Sequence, residues 1–313
     1  MINQVTKDRI AVLSEQYKKL VKSKPEAVRE ISIAEIPEMV YNSNAIENST
    51  LTLKDTEDIL LRDSIKRDHD IREIYEAKNL AKITKILLNN SNKPLTVKLM
   101  LDLHKLLLAG IKDDWAGRFR SDKEWVRVGA HVGANPDFVE RLVNELVTYY
   151  SKQDNRYFLD KIAWFHAEFE TIHPFNDGNG RLGRVLINQQ LKVLEFPPVT
   201  IQNKSKHTSY YPAFDSYRVT GKFDDFTELL ASLLIESLYK RITLLSAPKI
   251  ITVTEWAKAN NVAGNVAINK AIRGTIPAFR MREKWMIAAD FTADKKLDYK
   301  QGQLKLNELK SWR

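Results

Sequence analysis

Cysteine is absent from the 313 residues of the chain. That excludes disulfides, thiolate metal sites and cysteine nucleophiles. No run approaches the roughly 20 apolar residues that span a bilayer. Residues 1–9 are polar and hold no apolar stretch of the kind a secretory leader needs, so the expectation is a cytoplasmic protein with no membrane partner. Asn48-Ser49-Thr50 matches a glycosylation acceptor, but without secretion the match carries no meaning. Internal repeats and low-complexity tracts are lacking as well. Acid is scarce at one end: residues 249–313 hold thirteen Lys and Arg against six Asp and Glu, so most of the formal charge of +9 lies there. A basic terminal module suggests an anionic partner, nucleic acid first, with solubility as the plain alternative.

What is present is mainly helical patterning. Apolar residues recur at helical spacing over 5–21, 34–46, 94–108, 137–150, 160–172, 181–194 and 226–245, and charged helical segments fill 56–88. Residues 117–137 break the pattern with three glycines, a proline and the alternation of Trp125, Val126, Val128 and Val132, which predicts a short hairpin. From residue 250 the texture changes again. A β-branched run is followed by a helix capped by Thr254, a turn, a helix over 265–273 closed by Gly274, and two small strands at 276–279 and 284–288. That order is a winged helix-turn-helix pattern. The predicted organisation is an N-terminal helical region over 1–95, a helical core over 96–245 and a winged module over 249–313.

The segment with chemistry in it is His173-Pro174-Phe175-Asn176-Asp177-Gly178-Asn179-Gly180-Arg181-Leu182-Gly183-Arg184. Gly178 and Gly180 permit positive φ and leave backbone N–H groups uncovered, so a concave nest of donors can form. A helix start adds partial positive charge, and Arg181 and Arg184 add two full ones. Such a site attracts a polyphosphate. Asp177 supplies a hard oxygen suited to Mg²⁺ beside phosphates. Histidine is the side-chain type that exchanges protons near neutral pH, so His173 can accept a hydroxyl proton. Cradle, metal, charge clamp and base are the parts phosphoryl-type chemistry needs. Plainer readings stay open: His173 as a core histidine, Tyr210 and Tyr211 as core aromatics, Glu47 as a surface carboxylate. His166, Glu170 and His173 share a helical face, but a di-iron site needs a second such pair, which the sequence lacks, so His166 and Glu170 are read as packing or support.

The same segment resembles the signature of the Fic (Fido) family, His-x-Phe-x-Asp/Glu-Gly-Asn-Gly-Arg-x-x-Arg, at all eight defining positions. The resemblance covers roughly residues 34–245 and implies a Fic-type helical bundle with a β-hairpin flap. It implies AMP transfer from ATP to a Ser, Thr or Tyr hydroxyl of a protein, self-modification included. His173 would be the base, Asp177 the Mg²⁺ ligand, Asn179 the partner of the α-phosphate, and Arg181 and Arg184 the grip on the outer phosphates. The loop Asp177 to Arg184, Leu182 and Gly183 among it, would line the nucleotide. Val128, Gly129, Ala130 and His131 would form a flap over it, with Arg118 and Arg120 at an exposed working edge, and Tyr210-Tyr211 would border adenine. An asparagine frequent after that pair is replaced by Ser216-Tyr217-Arg218, which leaves the base preference open. Gly178 follows the AMP-transfer pattern rather than the alanine of the kinase-like Doc proteins.

Ser43-Asn44-Ala45-Ile46-Glu47-Asn48 resembles the family's inhibitory motif, in which the glutamate would pair bidentately with Arg184 and, in some relatives, support AMP removal. The terminal module resembles excisionase-like helix-turn-helix domains. In that reading Asn265, Asn269, Lys270 and Arg273 face a DNA groove, and Arg280, Arg282 and Lys284 meet phosphates. Docking of a protein, or of a second copy in a homodimer, is the alternative. The rival functions are a DNA-binding regulator whose Fic core senses nucleotide, and transfer of UMP or phosphate instead of AMP.

Overall fold

The computed structural model describes residues 2–65, 68–89, 93–152 and 155–292. By internal contacts the described residues divide into two compact units, one built on residues 32–230 and one that joins residues 2–31 to 231–292.

The first unit is helical because its segments carry both an apolar stripe and start signals. It begins with α3 (Ile36–Ile46), which has Pro37 in its first turn and Glu47 as its C-cap, and the chain then reverses at Asn48 with φ 69°. Next comes α4 (Leu53–Arg62), opened by a capping box in which Thr52 and Asp55 satisfy each other's backbone N–H. Then follow α5 (Ile71–Asn89) and α6 (Val97–Leu108), the latter capped by Thr96. The helix expected from residue 94 therefore begins after that cap, because Thr96 accepts from the N–H of Leu99. Beyond the flap lie α7 (Val139–Ser151), α8 (Phe158–Ile172), α9 (Asn179–Val193) and α10 (Tyr211–Thr220). One apolar core runs through α3 to α9. Val40 of α3, Leu80 and Ile83 of α5, Met100 and Leu107 of α6, Val143 of α7, Phe165 and Phe169 of α8 and Leu182 and Leu186 of α9 are all buried in it. Phe175, between α8 and α9, is fully buried in the same core and so anchors the loop that carries the signature.

The flap is smaller than residues 117–137 suggest. Only β1 (Arg127–Val128) and β2 (His131–Val132) pair, with Val128 opposite His131. Gly129, at φ 58°, takes the first place of the two-residue turn, where such hairpins need positive φ. Turns and irregular chain make up the rest, before a 3-10 turn at Pro136–Phe138.

In the second unit, α1 (Gln4–Ser23) is capped by Asn3, and Lys24 then gives way to α2 (Pro25–Ala34), most of which belongs here. The chain re-enters the unit within α11 (Asp224–Ser246). Arg9 of α1 donates to the hydroxyl of Tyr239 on α11 at 3.0 Å and to the carbonyl of Gly274. The terminal segment forms β3 (Ile250–Thr252), α12 (Val253–Ala259), α13 (Gly264–Ile272), β4 (Phe279–Met281) and β5 (Lys284–Ala288). Its sheet is antiparallel in the order β3-β5-β4. Thr252, not Thr254, caps α12, since the capping box needs an acid three residues on and Glu255 supplies it. Gly274, at φ 61°, follows α13 as a C-terminal glycine should. Val253, Trp256, Ala267, Ala271, Ile276 and Ile287 make a separate small core.

Candidate functional site

Helix α8 stops at His173 because Pro174 cannot continue it, and the histidine takes up a left-handed conformation at φ 52°, ψ 64°. A non-glycine residue there is strained, so something must hold it. The holder is Arg120. Its guanidinium is buried and donates to the carbonyls of His173 at 2.7 Å and Ile172 at 3.0 Å, and also to that of Ala134. Its backbone N–H donates to Pro174 O at 3.0 Å. Burial lowers the Arg120 pKa, with Glu124 in partial opposition. Arg120 is thus an internal brace, 1% exposed, and not the open edge its sequence context suggested. Arg118 does lie at the surface, in a two-contact pair with Glu124.

The loop after His173 is fixed from below. His104 of α6 stacks on Phe175 at 3.7 Å. It accepts from Gly117 N–H through Nδ1, so its Nε2–H donates to the Asp177 carbonyl, both at 3.0 Å. Burial lowers its pKa to about 4, so the ring is neutral in the fold. Asn179 turns its amide back on the loop, accepting from Phe175 N–H at 2.9 Å and donating to Phe175 O at 2.8 Å. Its side chain therefore shapes the loop, while the N–H groups of the first turn of α9 are what it leaves for an anion. Gly178, at φ 81°, forms the N-cap, and a Cβ there would come within 3.0 Å of Leu107.

The charged groups are paired in a definite order. Arg184 donates through Nε to Ser43 Oγ at 3.0 Å, and through Nη2 to Ser43 O and Glu47 Oε1 at 2.8 Å. Contact with Glu47 is through one carboxylate oxygen, not the two-pronged grip expected, because Ser43 occupies the rest of that edge. Nη1 is buried and without a partner among the described residues. Burial opposes the Arg184 charge, but Glu47 and Tyr210 more than offset it, and the pKa is raised. The Glu47 carboxylate also lies over the start of α9. A Cβ on Gly180 would sit 2.3 Å from its Oε1, so only glycine leaves this room.

Asp177 is likewise engaged. It accepts from Gly178 N–H at 2.6 Å and from Arg181 at 2.9 Å, and Arg72 of α5 pairs with its other oxygen. Glu76, one turn along α5, pairs with Arg181 at 2.9 Å and Arg72 at 3.0 Å. Arg72, Glu76 and His104 were not singled out from the sequence, Arg120 was read as an open edge, and Ser43 entered only as the first residue of its motif. Arg72 and Glu76 fall one helical turn apart, which was the only signal available.

A cleft of about 920 Å³ collects His173, Glu47, Asp177, Gly178, Asn179, Gly180, Arg181, Arg184, Tyr210, Tyr211 and the flap residues Val128 to His131. Two residues of the loop Asp177 to Arg184 lie elsewhere. Leu182 is core, and Gly183 packs against Glu170 and His166. Tyr210 is buried with its hydroxyl hydrogen-bonded to His166 at 2.9 Å, so it meets the cleft from behind. Tyr211 donates to Ile46 O at 3.2 Å. His131 reaches α8, its Nε2 2.9 Å from Thr171 O. Among the described residues no group of three or more His, Asp or Glu is arranged to hold a metal, and no helix is long and apolar enough to cross a membrane.

Known proteins resemble the chain in sequence and in fold. The Fic/DOC family profile matches residues 94–191. Over 176 residues, 55% of this chain, it is 32% identical to a protein adenylyltransferase Fic of Aedes aegypti, of which it covers 35%. It is 31% identical to one of Nematostella vectensis, of which it covers 41%. The chain thus spans well under half the length of these curated relatives. Among solved structures, a Fic-domain signalling protein of Bacteroides thetaiotaomicron aligns at TM-score 0.68 and 24% identity, over 76% of this chain and 96% of that one. A Fic family protein of Desulfovibrio desulfuricans aligns at TM-score 0.62 and 19% identity, over 93% and 98%. Residues 94–191 therefore match the Fic/DOC family, and the chain has the mainly helical, hairpin-bearing fold of the solved Fic proteins.

Proposed function

We propose that the chain transfers AMP from ATP to a Ser, Thr or Tyr hydroxyl of a protein, and that Glu47 restrains it. The observation that carries this reading is the seat of the Glu47 carboxylate, against Gly180 at the start of α9 and paired with Arg184, in one cleft with His173. An acid there takes the place of an anion at a helix N-terminus.

In the forward reaction His173 takes the proton of the incoming hydroxyl. The oxygen forms a bond to the α-phosphorus, and the bond from that phosphorus to the bridging oxygen breaks. Pyrophosphate leaves with the electron pair, and the imidazolium gives its proton to water. The first-turn N–H groups of α9 and Arg181 bind phosphate oxygens, and Arg184 joins them once Glu47 withdraws. Misplacement of about 1 Å costs on the order of a hundredfold in rate, so a carboxylate held on Arg184 suffices as a restraint.

A divalent cation fits the donor set on one condition. Mg²⁺ is commonly held by one or two carboxylates together with substrate phosphates, and Asp177 provides one, but both its oxygens carry guanidinium partners. Arg72, with a side chain 45% exposed against 3% for Arg181, is the partner that gives way. Bound at Asp177, Mg²⁺ would neutralise the charge of the leaving diphosphate.

The test is mass spectrometry of the Glu47→Gly chain after incubation with ATP and Mg²⁺. Addition of one AMP unit is the expected result. Addition of UMP from UTP alone, or of a single phosphate, would replace AMP by the rival group. The same assay run backwards, on AMP-modified protein with Glu47 intact, reads removal of AMP.

A second reading concerns the terminal module. Asn265, Asn269 and Lys270 lie exposed on α13, and Arg273, Arg282 and Lys284 are exposed nearby, a pattern suited to duplex DNA. Arg280 is not free for phosphate, since it makes a two-pronged pair with Glu236 and lies over Trp285. Retention on duplex DNA that falls steeply with salt supports DNA contact. Absent or salt-insensitive retention supports docking of a protein or of a second copy.

A further inference from the structure

Behind the His173 ring lies a buried acid that the reaction above does not use. Glu170 is 6% exposed, one turn before His173 on α8. Its Oε2 is 3.5 Å from His173 Nδ1, and its backbone carbonyl is 3.4 Å from the same nitrogen. Oε1 has no hydrogen-bond partner among the described residues. A Cβ on Gly183 would lie 2.5 Å from that oxygen and 3.1 Å from His166 Nδ1, so α9 leaves glycine where the carboxylate needs space. Burial alone would neutralise such an acid, but His173, His166 and Arg184 offset it and its pKa is lowered. A charged carboxylate is therefore enclosed between the imidazole and the arginine of the cleft. Burying a charge is costly unless it is paired, which makes an incidental acid here improbable on physical grounds.

We infer that Glu170 is a positioning residue for His173, accepting from Nδ1–H so that the lone pair of Nε2 faces the incoming hydroxyl. The inference deepens the adenylyl-transfer reading and, for its kinetic arm, rests on it. An acid behind an imidazole does two things. It selects the tautomer with a free Nε2, and it stabilises the imidazolium formed when that nitrogen takes the substrate proton. Both distances are long for hydrogen bonds, and catalytic contacts commonly tighten only when substrate is bound. Gly183 belongs to this arrangement: absent from the cleft wall, it gives the carboxylate its seat.

The test reads the ring directly. Long-range nitrogen-15 correlation spectra of the unaltered chain, with His173 assigned by loss of its signals in His173→Ala, report which nitrogen bears the proton. The expected result is Nδ1–H in the unaltered chain and a shift toward Nε2–H in Glu170→Met, which keeps volume and removes the carboxylate while leaving the weaker contact to the backbone carbonyl. Glu170→Gln keeps an acceptor without the charge and is expected to retain Nδ1–H. In the Glu47→Gly background, Glu170→Met is expected to lower kcat about 100-fold with KM for ATP within about threefold, and Glu170→Gln to restore part of kcat. An Nε2–H ring in the unaltered chain overturns the inference, as does a kcat within about threefold of the parent in Glu170→Met. Should Glu47→Gly transfer nothing from any nucleotide, the adenylyl-transfer reading fails, and the spectra still decide the role of Glu170.

Discussion

Arg120 shows how one side chain holds a functional geometry. Its guanidinium satisfies carbonyls that the left-handed turn at His173 leaves without helical partners. Truncation strands them, so Arg120→Ala is expected to cost about 3 kcal/mol in urea unfolding. Arg120→Lys should recover little, because one ammonium cannot reach carbonyls spread over Ala134, Ile172 and His173. Histidine burial makes a separate demand. His104 and His166 both have pKa values depressed by burial to about 4. A depressed histidine contributes stability above its unfolded value near 6.5, and that stability is lost as pH falls through the folded value. The melting temperature is therefore expected to fall steadily from pH 7 to pH 4.5, and a flat profile would contradict neutral buried rings. That His173, Asp177, Arg181 and Arg184 line one cleft was legible from the sequence, because they crowd into one short loop and helix start. Arg120 and His104 were not, since their roles depend on which distant carbonyls meet them.

Helix α3 bears Glu47 and is fastened by more than that residue. Ser43 binds Arg184, Asn42 accepts from Asn203 N–H at 2.9 Å, Lys206 reaches Asn48 at 2.7 Å, and Tyr211 holds Ile46 O. The seat of Glu47 is thus spread over the helix and the 203–211 segment, and so would be the proposed restraint. Tyr211→Phe and Ser43→Ala are each expected to raise AMP transfer severalfold, well short of Glu47→Gly, since each loosens the seat without removing the carboxylate. No rise in either would confine the restraint to Glu47. Helix α5 governs the other end of the cleft. Arg72→Ala frees one oxygen of Asp177, so Mn²⁺ affinity, measured by paramagnetic resonance without nucleotide, is expected to rise about tenfold. At this scale the long periodic helices could be read ahead of the structure. Two elements could not. Helix α2 begins directly after Lys24 with almost no linker, and α10 follows a π-turn over Lys206–Tyr210 that breaks the apolar period.

Across the whole chain, the domain of the Fic/DOC family and the basic terminal module differ in how far local pattern specifies them. The signature compresses loop, helix start and charge into twelve adjacent residues, so its chemistry survives as a local word. The joining of residues 2–31 to 231–292 in one unit rests on contacts such as Arg9 with Tyr239, far apart in sequence and silent in periodicity. The central claim is that Glu47 withholds Arg184 from a nucleotide whose α-phosphate His173 helps to transfer. Incorporation of label from α-labelled ATP into protein, compared among the unaltered chain, Glu47→Gly and Glu47→Gly with His173→Ala, tests it most directly. The expected result is little label in the first, at least tenfold more in the second, and none above background in the third. Equal label in the first two, or undiminished label in the third, would contradict it.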